Sequence, residues 1–229
     1  VAAVYGFRDQ TGQYKPTPAS SFSTSVTQGA ASMLVDALQA SGWFRVLERE
    51  GLQNILTERK IIRASQNKPN TPVNIQADLP SLQAANILLE GGVIAYDTNV
   101  RSGGEGAAYL GISLSQEYRV DQVSVNLRAV DVRSGQVLAN VMTSKTIYSV
   151  GRNAGVFKFI EFKELLEIEA GYTTNEPAQL CVLSAIEAAV AHLVAQGIER
   201  RLWQAADESS FDKSSLPKYL SQASSDQTP

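Results

Sequence analysis

The 229-residue chain contains one histidine, His192, and one cysteine, Cys181, and these two scarcities remove most enzyme chemistry at once. A Ser/His/Asp or Cys/His set needs a base beside its nucleophile, and a zinc site needs three or four ligands. His192, flanked by Val190, Ala191, Leu193 and Val194, reads as a structural or solvent-facing imidazole. Cys181, inside the apolar run Leu180-Cys181-Val182-Leu183, reads as a small buried hydrophobe. One cysteine excludes an intrachain disulfide and leaves the redox compartment open. The chain also lacks any Lys/Arg run and carries a formal charge of −3, so nucleic acid is not an expected partner.

Phosphate-binding loops are missing as well. Gly104-Glu105-Gly106-Ala107-Ala108-Tyr109 opens like a dinucleotide loop but has Tyr109 where the third glycine belongs, and no Gly-Lys-Ser/Thr sequence exists. These glycines read as strand residues that let backbones pack closely. Glu161, Glu164, Glu167 and Glu169 have no second catalytic group beside them and read as a solvated or lumen-lining face. No catalytic residue, metal or cofactor is therefore expected, and the chain is not read as an enzyme. No window reaches the roughly 18 consecutive apolar residues of a membrane helix. The opening Val1-Ala2-Ala3-Val4-Tyr5 is strand-like rather than a charged leader, so the expectation is either no export signal or one that lies ahead of Val1.

What the chain does have is 44% apolar residues, ample for a core, in an interleaved order of strands and helices. A strand is expected from Val1 to Phe7, then a loop punctuated by Pro16 and Pro18, then a helix capped by Ser23 or Ser25. That helix carries Val26, Ala30, Met33, Leu34, Ala37 and Leu38 at helical spacing until Ser41-Gly42. Trp43 to Leu47 reads as a strand, Glu50 to Lys60 as a helix burying Leu52, Ile55 and Leu56, and 67–78 as a loop. Ile87 to Tyr96 reads as a strand broken by Gly91-Gly92, and Val123–Asp131 with Val137–Thr146 as a hairpin around Arg133-Ser134-Gly135-Gln136. A last helix spans Glu176 to Trp203, with Leu183, Ile186, Val190, Leu193, Val194 and Ile198 in one stripe, ahead of a polar tail from Asp207. The fold class is α/β (α+β) with an added β region.

That added region is the most informative part. Val100 to Ser115 places Ala108, Leu110, Ile112 and Leu114 on one parity; Thr143 to Val150 turns near Gly151-Arg152-Asn153 and returns through Gly155 to Phe162. A membrane-barrel strand needs about 9 to 11 residues of such alternation. Two hairpins give four strands, which cannot close a barrel, and an open edge in lipid leaves backbone groups unpaired. The hairpins suit a membrane only if several copies assemble side by side; the same pattern also suits edge hairpins of a soluble sheet. In the barrel reading Leu110, Ile112, Leu114, Val156, Ile160 and Phe162 face lipid, while Phe159 and Glu161 face the lumen and Lys158 snorkels.

The stretch Asp9 to Thr24, with Trp43-Phe44, Leu47-Glu48-Arg49, Gly51 to Asn54, Glu58 to Ala64, Gly155-Val156-Phe157, Gly171-Tyr172-Thr173 and Asn175-Glu176-Pro177, resembles the curli secretion channel family over nearly the whole chain. The resemblance implies an outer-membrane lipoprotein with a periplasmic α/β domain, a ring of about nine subunits, and two hairpins per subunit completing one oligomeric transmembrane β-barrel. It implies diffusion-driven export of unfolded curli subunits without ATP, with periplasmic and extracellular curli accessory proteins as partners. The rival reading is a soluble periplasmic α/β binding or assembly module. The implied division is 1–98 as the first part of the periplasmic domain with a constriction loop over 11–22, 99–122 as the first transmembrane hairpin, and 123–142 as core strands. It continues with 143–172 as the second hairpin, 173–206 as the C-terminal helix and 207–229 as the tail. In the family a Tyr, an Asn and a Phe form the constriction. Their positions here are Thr17, Ser21 and Phe22, of which only Phe22 matches, implying a wider pore. Phe22 also reads as a staple at the start of its helix. The lipid anchor implied by the family would lie ahead of Val1.

Overall fold

The computed structural model describes residues 1–11, 29–66, 79–102, 117–153, 156–160 and 177–204. Six strands form one sheet in the order β2-β1-β3-β4-β5-β6. They are β1 (Ala2–Asp9), β2 (Val46–Leu47), β3 (Ile87–Ser102), β4 (Glu117–Asp131), β5 (Val137–Asn153) and β6 (Val156–Ile160). The three helices are α1 (Ala30–Ala40), α2 (Leu52–Gln66) and α3 (Pro177–Glu199). β2, β1 and β3 run parallel, linked through helical crossovers; β3 to β6 are antiparallel. The chain is thus α/β at one side of the sheet and an antiparallel meander at the other.

Alternation sets which face is covered. In β4, Asp121, Val123, Val125, Leu127 and Ala129 are buried, and in β5 Ala139, Val141, Thr143 and Ile147 are, while the residues between them are exposed or half-buried. α1 and α3 cover this one face. α1 contributes Ala30, Leu34, Ala37 and Leu38, as its spacing predicts, and ends where Ser41 Oγ donates to the Leu38 carbonyl and Gly42 takes φ +70°. In α3 the expected large residues Ile186, Val190, Leu193 and Val194 are buried, but so are Cys181, Ala185 and Ala189, small side chains that bring the helix close to the sheet. α3 is long and apolar enough to cross a membrane by length and composition. It is spent on the core, where each fully buried aliphatic side chain contributes roughly 1.5–3 kcal/mol.

Several expectations are corrected. Gly91-Gly92 does not break β3: a Cβ on Gly91 would lie 2.0 Å from the Asn126 carbonyl oxygen and one on Gly92 2.2 Å from that of Arg8, so these glycines let three strands stay in register. The strand expected from Trp43 is only two residues long, because β1 accepts it only at Ala2 and Ala3. α2 runs on to Gln66 and does not bury Leu56, which is 37% exposed, as Ile61 and Ile62 also are in part. It stands off the sheet and is tied instead to the segment before β3, where Arg59 donates to the Pro80 carbonyl, and Arg49, just ahead of the helix, donates to that of Gln83. α3 stops at Glu199 rather than Trp203, because Arg201 turns at φ 57° and Leu202 N–H closes on the Gly197 carbonyl.

Candidate functional site: an extended strand leaf with two open edges

β3, β4 and β5 are 16, 15 and 17 residues long, against a usual strand of about 5–6. The expected hairpins are continuations of these core strands. The lower halves form the hairpin predicted around Arg133–Gln136, where Asp131 accepts from Ser134 N–H and Oγ, and Gly135 takes φ +71°. Those bonds hold the Asp131 carboxyl below its ordinary range. The upper halves leave the helices behind. Ser102 pairs with Glu117, Val150 with Lys158 and Tyr148 with Ile160. β1 stops short of this leaf, pairing with β3 only as far as Asp9 with Val93. Among the described residues, the outer edge of β3 above Val93 and the outer edge of β6 therefore have no strand beside them.

A bulge marks the place where the leaf departs. Val93 pairs with Val125 and Ala95 with Ser124, leaving Ile94 over. Below it, odd residues Leu89 and Val93 face α1 and α3. Above it Tyr96 opposes Val123, so even residues take that face. Just above the bulge the Tyr96 hydroxyl donates to Asp121 Oδ1 at 2.8 Å, and Asp121 is fully buried. The Cys181 thiol, buried as expected, donates to the backbone carbonyls of Asp121 and Lys145. Desolvation, reinforced by the Asp121 charge, pushes that thiol up to about 12. His192 is half-buried, and burial with the nearby Lys145 charge holds its imidazole below its ordinary value. Sequence reasoning missed the Tyr96–Asp121 bond, although a lone carboxylate on the apolar parity of Asp121, Val123, Val125 and Leu127 was its signal.

On the uncovered face Arg128 and Glu90 pair across β3 and β4 at 2.8 Å, Ser124 bonds Ser144, and Asn126 bonds Asn140. Among the described residues no three His, Cys, Asp or Glu side chains gather into a metal site. β6 holds Val156, Phe159 and Ile160. Thr17, Ser21, Phe22, Leu110, Ile112, Leu114, Glu161 and Phe162 lie outside the described residues.

Over the described residues the architecture is that of an α/β domain whose antiparallel strands outrun their helical cover and present open edges of opposite direction. The profile of the family "Curli production assembly/transport component CsgG" matches residues 1–223. Curated proteins of that description from Escherichia coli K12, Citrobacter koseri and Salmonella typhimurium are each 52% identical over 217 residues, covering 95% of this chain and 78% of theirs. The chain belongs to the CsgG family of curli production assembly/transport components. Among solved structures, two PelC dodecamers from Paraburkholderia phytofirmans align with TM-scores of 0.37 and 0.35 at 14% and 16% identity. They cover 84% and 82% of this chain, and 86% and 84% of theirs; at that distance nothing about assembly carries over.

Proposed function

We propose that the chain is one subunit of an oligomeric outer-membrane channel that passes unfolded curli-type subunits from periplasm to cell surface. The observation that carries this is the pair of open edges. β3 and β6 run in opposite directions, so β6 of one copy against β3 of the next continues an all-antiparallel sheet with four strands per subunit. Repetition until closure leaves no unpaired backbone in lipid. The family's curli assembly/transport role supports a bacterial-envelope location for such a ring, and the resemblance implies about nine copies.

The proposed hairpins are 99–122 and 143–172, on a periplasmic domain built from 1–98, 123–142 and 173–206. Leu110, Ile112, Leu114, Val156, Ile160 and Phe162 take the lipid parity, and Phe159 and Glu161 the lumen parity. Register supports this division. Ile160 falls in the row of Tyr148 and Val120, on the parity of Met142 and Ser144, which α1 and α3 leave bare. Phe159 falls in the row of Ser149, on the parity of Ile147 beneath α3. Lipid parity thus runs on into the bare face and lumen parity into the helix-covered face.

Thr17, Ser21 and Phe22 lie between β1 and α1 and form the constriction, with a ring of Phe22 side chains as an apolar collar. Passage is diffusive, since no nucleotide-binding sequence supplies work, and the collar limits it to extended chains. A lipid anchor ahead of Val1 and accessory proteins at the two mouths complete the reading. Negative-stain images of the detergent-extracted full-length protein test it. Closed rings are expected, and a population that stays monomeric in detergent would favour the soluble binding or assembly module instead.

A further inference from the structure

We infer that the hydrogen bond from Tyr96 to Asp121 pins the register of the leaf to the core, so that these two residues position the lumen and lipid parities of the first hairpin. This rests on the barrel reading for its consequence, but the register itself is a property of β3 and β4. The need for a pin follows from the bulge. Continued without Ile94 as the extra residue, the lower pairing would set Tyr96 opposite Gln122 and Thr98 opposite Val120. The structure instead sets Tyr96 opposite Val123 and Asn99 opposite Val120. The two registers differ by one residue, and one residue exchanges the faces of every position above it.

Among the described residues near the bulge, those other than Tyr96 and Asp121 weigh little between the registers. Ala95 is small, Asp97, Thr98 and Asn99 are exposed, and β1 ends at the bulge, where Gln10 N–H reaches the Val93 carbonyl. Asp121 does distinguish them. It is fully buried on the face beneath α3, with Cys181 bonding its backbone carbonyl, so β4 cannot turn it outward. In the observed register Tyr96 is on that same face and its hydroxyl reaches the carboxylate at 2.8 Å. In the bulge-free register Tyr96 moves to the bare face and the buried carboxylate loses that donor, a penalty that outweighs the mild preference of exposed polar residues for either side.

Two double-cysteine variants sharing Val120→Cys read the register directly. Opposed residues on antiparallel strands lie within disulfide reach, whereas offset neighbours on opposite faces do not. Asn99→Cys with Val120→Cys reports the observed register, and Thr98→Cys with Val120→Cys the bulge-free one. Buried Cys181 stays out of the exchange. In the otherwise native full chain only the first pair should close. Tyr96→Phe, which removes a single oxygen, should shift the ratio of the two cross-links by about tenfold toward the second. Asp121→Leu should do the same, and Asp121→Asn, whose carbonyl still accepts from Tyr96, should retain the native ratio. An unchanged ratio in folded Tyr96→Phe protein would overturn the inference, as would an equal shift in Asp121→Asn and Asp121→Leu. Native cross-links in a protein that forms no ring would sink the barrel reading while leaving the pin intact.

Discussion

A methyl group on Gly197 would fall 1.8 Å from the indole ring of Trp203. The α3 terminus folds back on itself at Arg201 and lays Trp203 against the bare backbone at Gly197. There its Nε1–H donates to the Val194 carbonyl at 3.0 Å, and its ring meets Phe44 edge-on at 5.6 Å between centroids. The contact ties the end of the last helix to the chain entering β2. Gly197→Ala should therefore destabilise the domain by about 2–4 kcal/mol despite a helix-propensity gain of roughly 1 kcal/mol, because Trp203 must leave its seat. Thermal unfolding followed by tryptophan fluorescence checks this, and an unchanged midpoint would contradict it.

The same turn makes the opposite prediction one step on. Arg201 sits at φ 57°, where a side chain is strained and glycine is not. Arg201→Gly should stabilise by about 0.5–1 kcal/mol, read as a raised denaturant midpoint with an unchanged slope.

Glu187 on α3 and Asp36 on α1 should give the domain a distinctive pH response. Although the Glu187 side chain is exposed, partial desolvation on α3, with the Asp36 charge added, raises its carboxyl above its ordinary 4.5. A raised carboxyl binds more protons folded than unfolded, so its contribution is fully present below pH 4.5 and is lost as pH rises through the folded value. Glu187→Gln should accordingly raise the melting temperature at neutral pH, with the gain vanishing in acid. A gain that grows in acid would contradict the assignment.

Phe22 provides the functional counterpart. As a collar residue it contributes little to burial, so Phe22→Ala should assemble normally, raise single-channel conductance and reduce export of the fibre subunit. As a core staple it would cost about 3–5 kcal/mol and reduce assembled rings and export together.

Much of this fold was legible because period-two alternation and turn chemistry are local. The β4–β5 hairpin follows from Gly135 and Asp131, and α1 ends at Gly42, where only glycine is comfortable. The failures have non-local causes. Gly91 and Gly92 read as a break because the close approach of Asn126 and Arg8 is invisible along the chain. α2 read as a core helix because its stripe of Leu52, Ile55 and Leu56 does not reveal that it stands off the sheet. In α3 the eye goes to leucine and valine, whereas Cys181, Ala185 and Ala189 set the approach to the sheet. The leaf was legible as alternation, but the exchange of faces inside β3 was not, because the bulge at Ile94 leaves no mark in composition.

Single-channel recording of the detergent-extracted full-length oligomer in planar bilayers decides whether these edges close into a pore. Closure of β6 against the next subunit's β3 predicts discrete conductance steps of one size, inserted without a carrier and stable for minutes. Assembled, correctly folded protein that produces no steps at any concentration would contradict a channel and leave the open edges of β3 and β6 to some other partner.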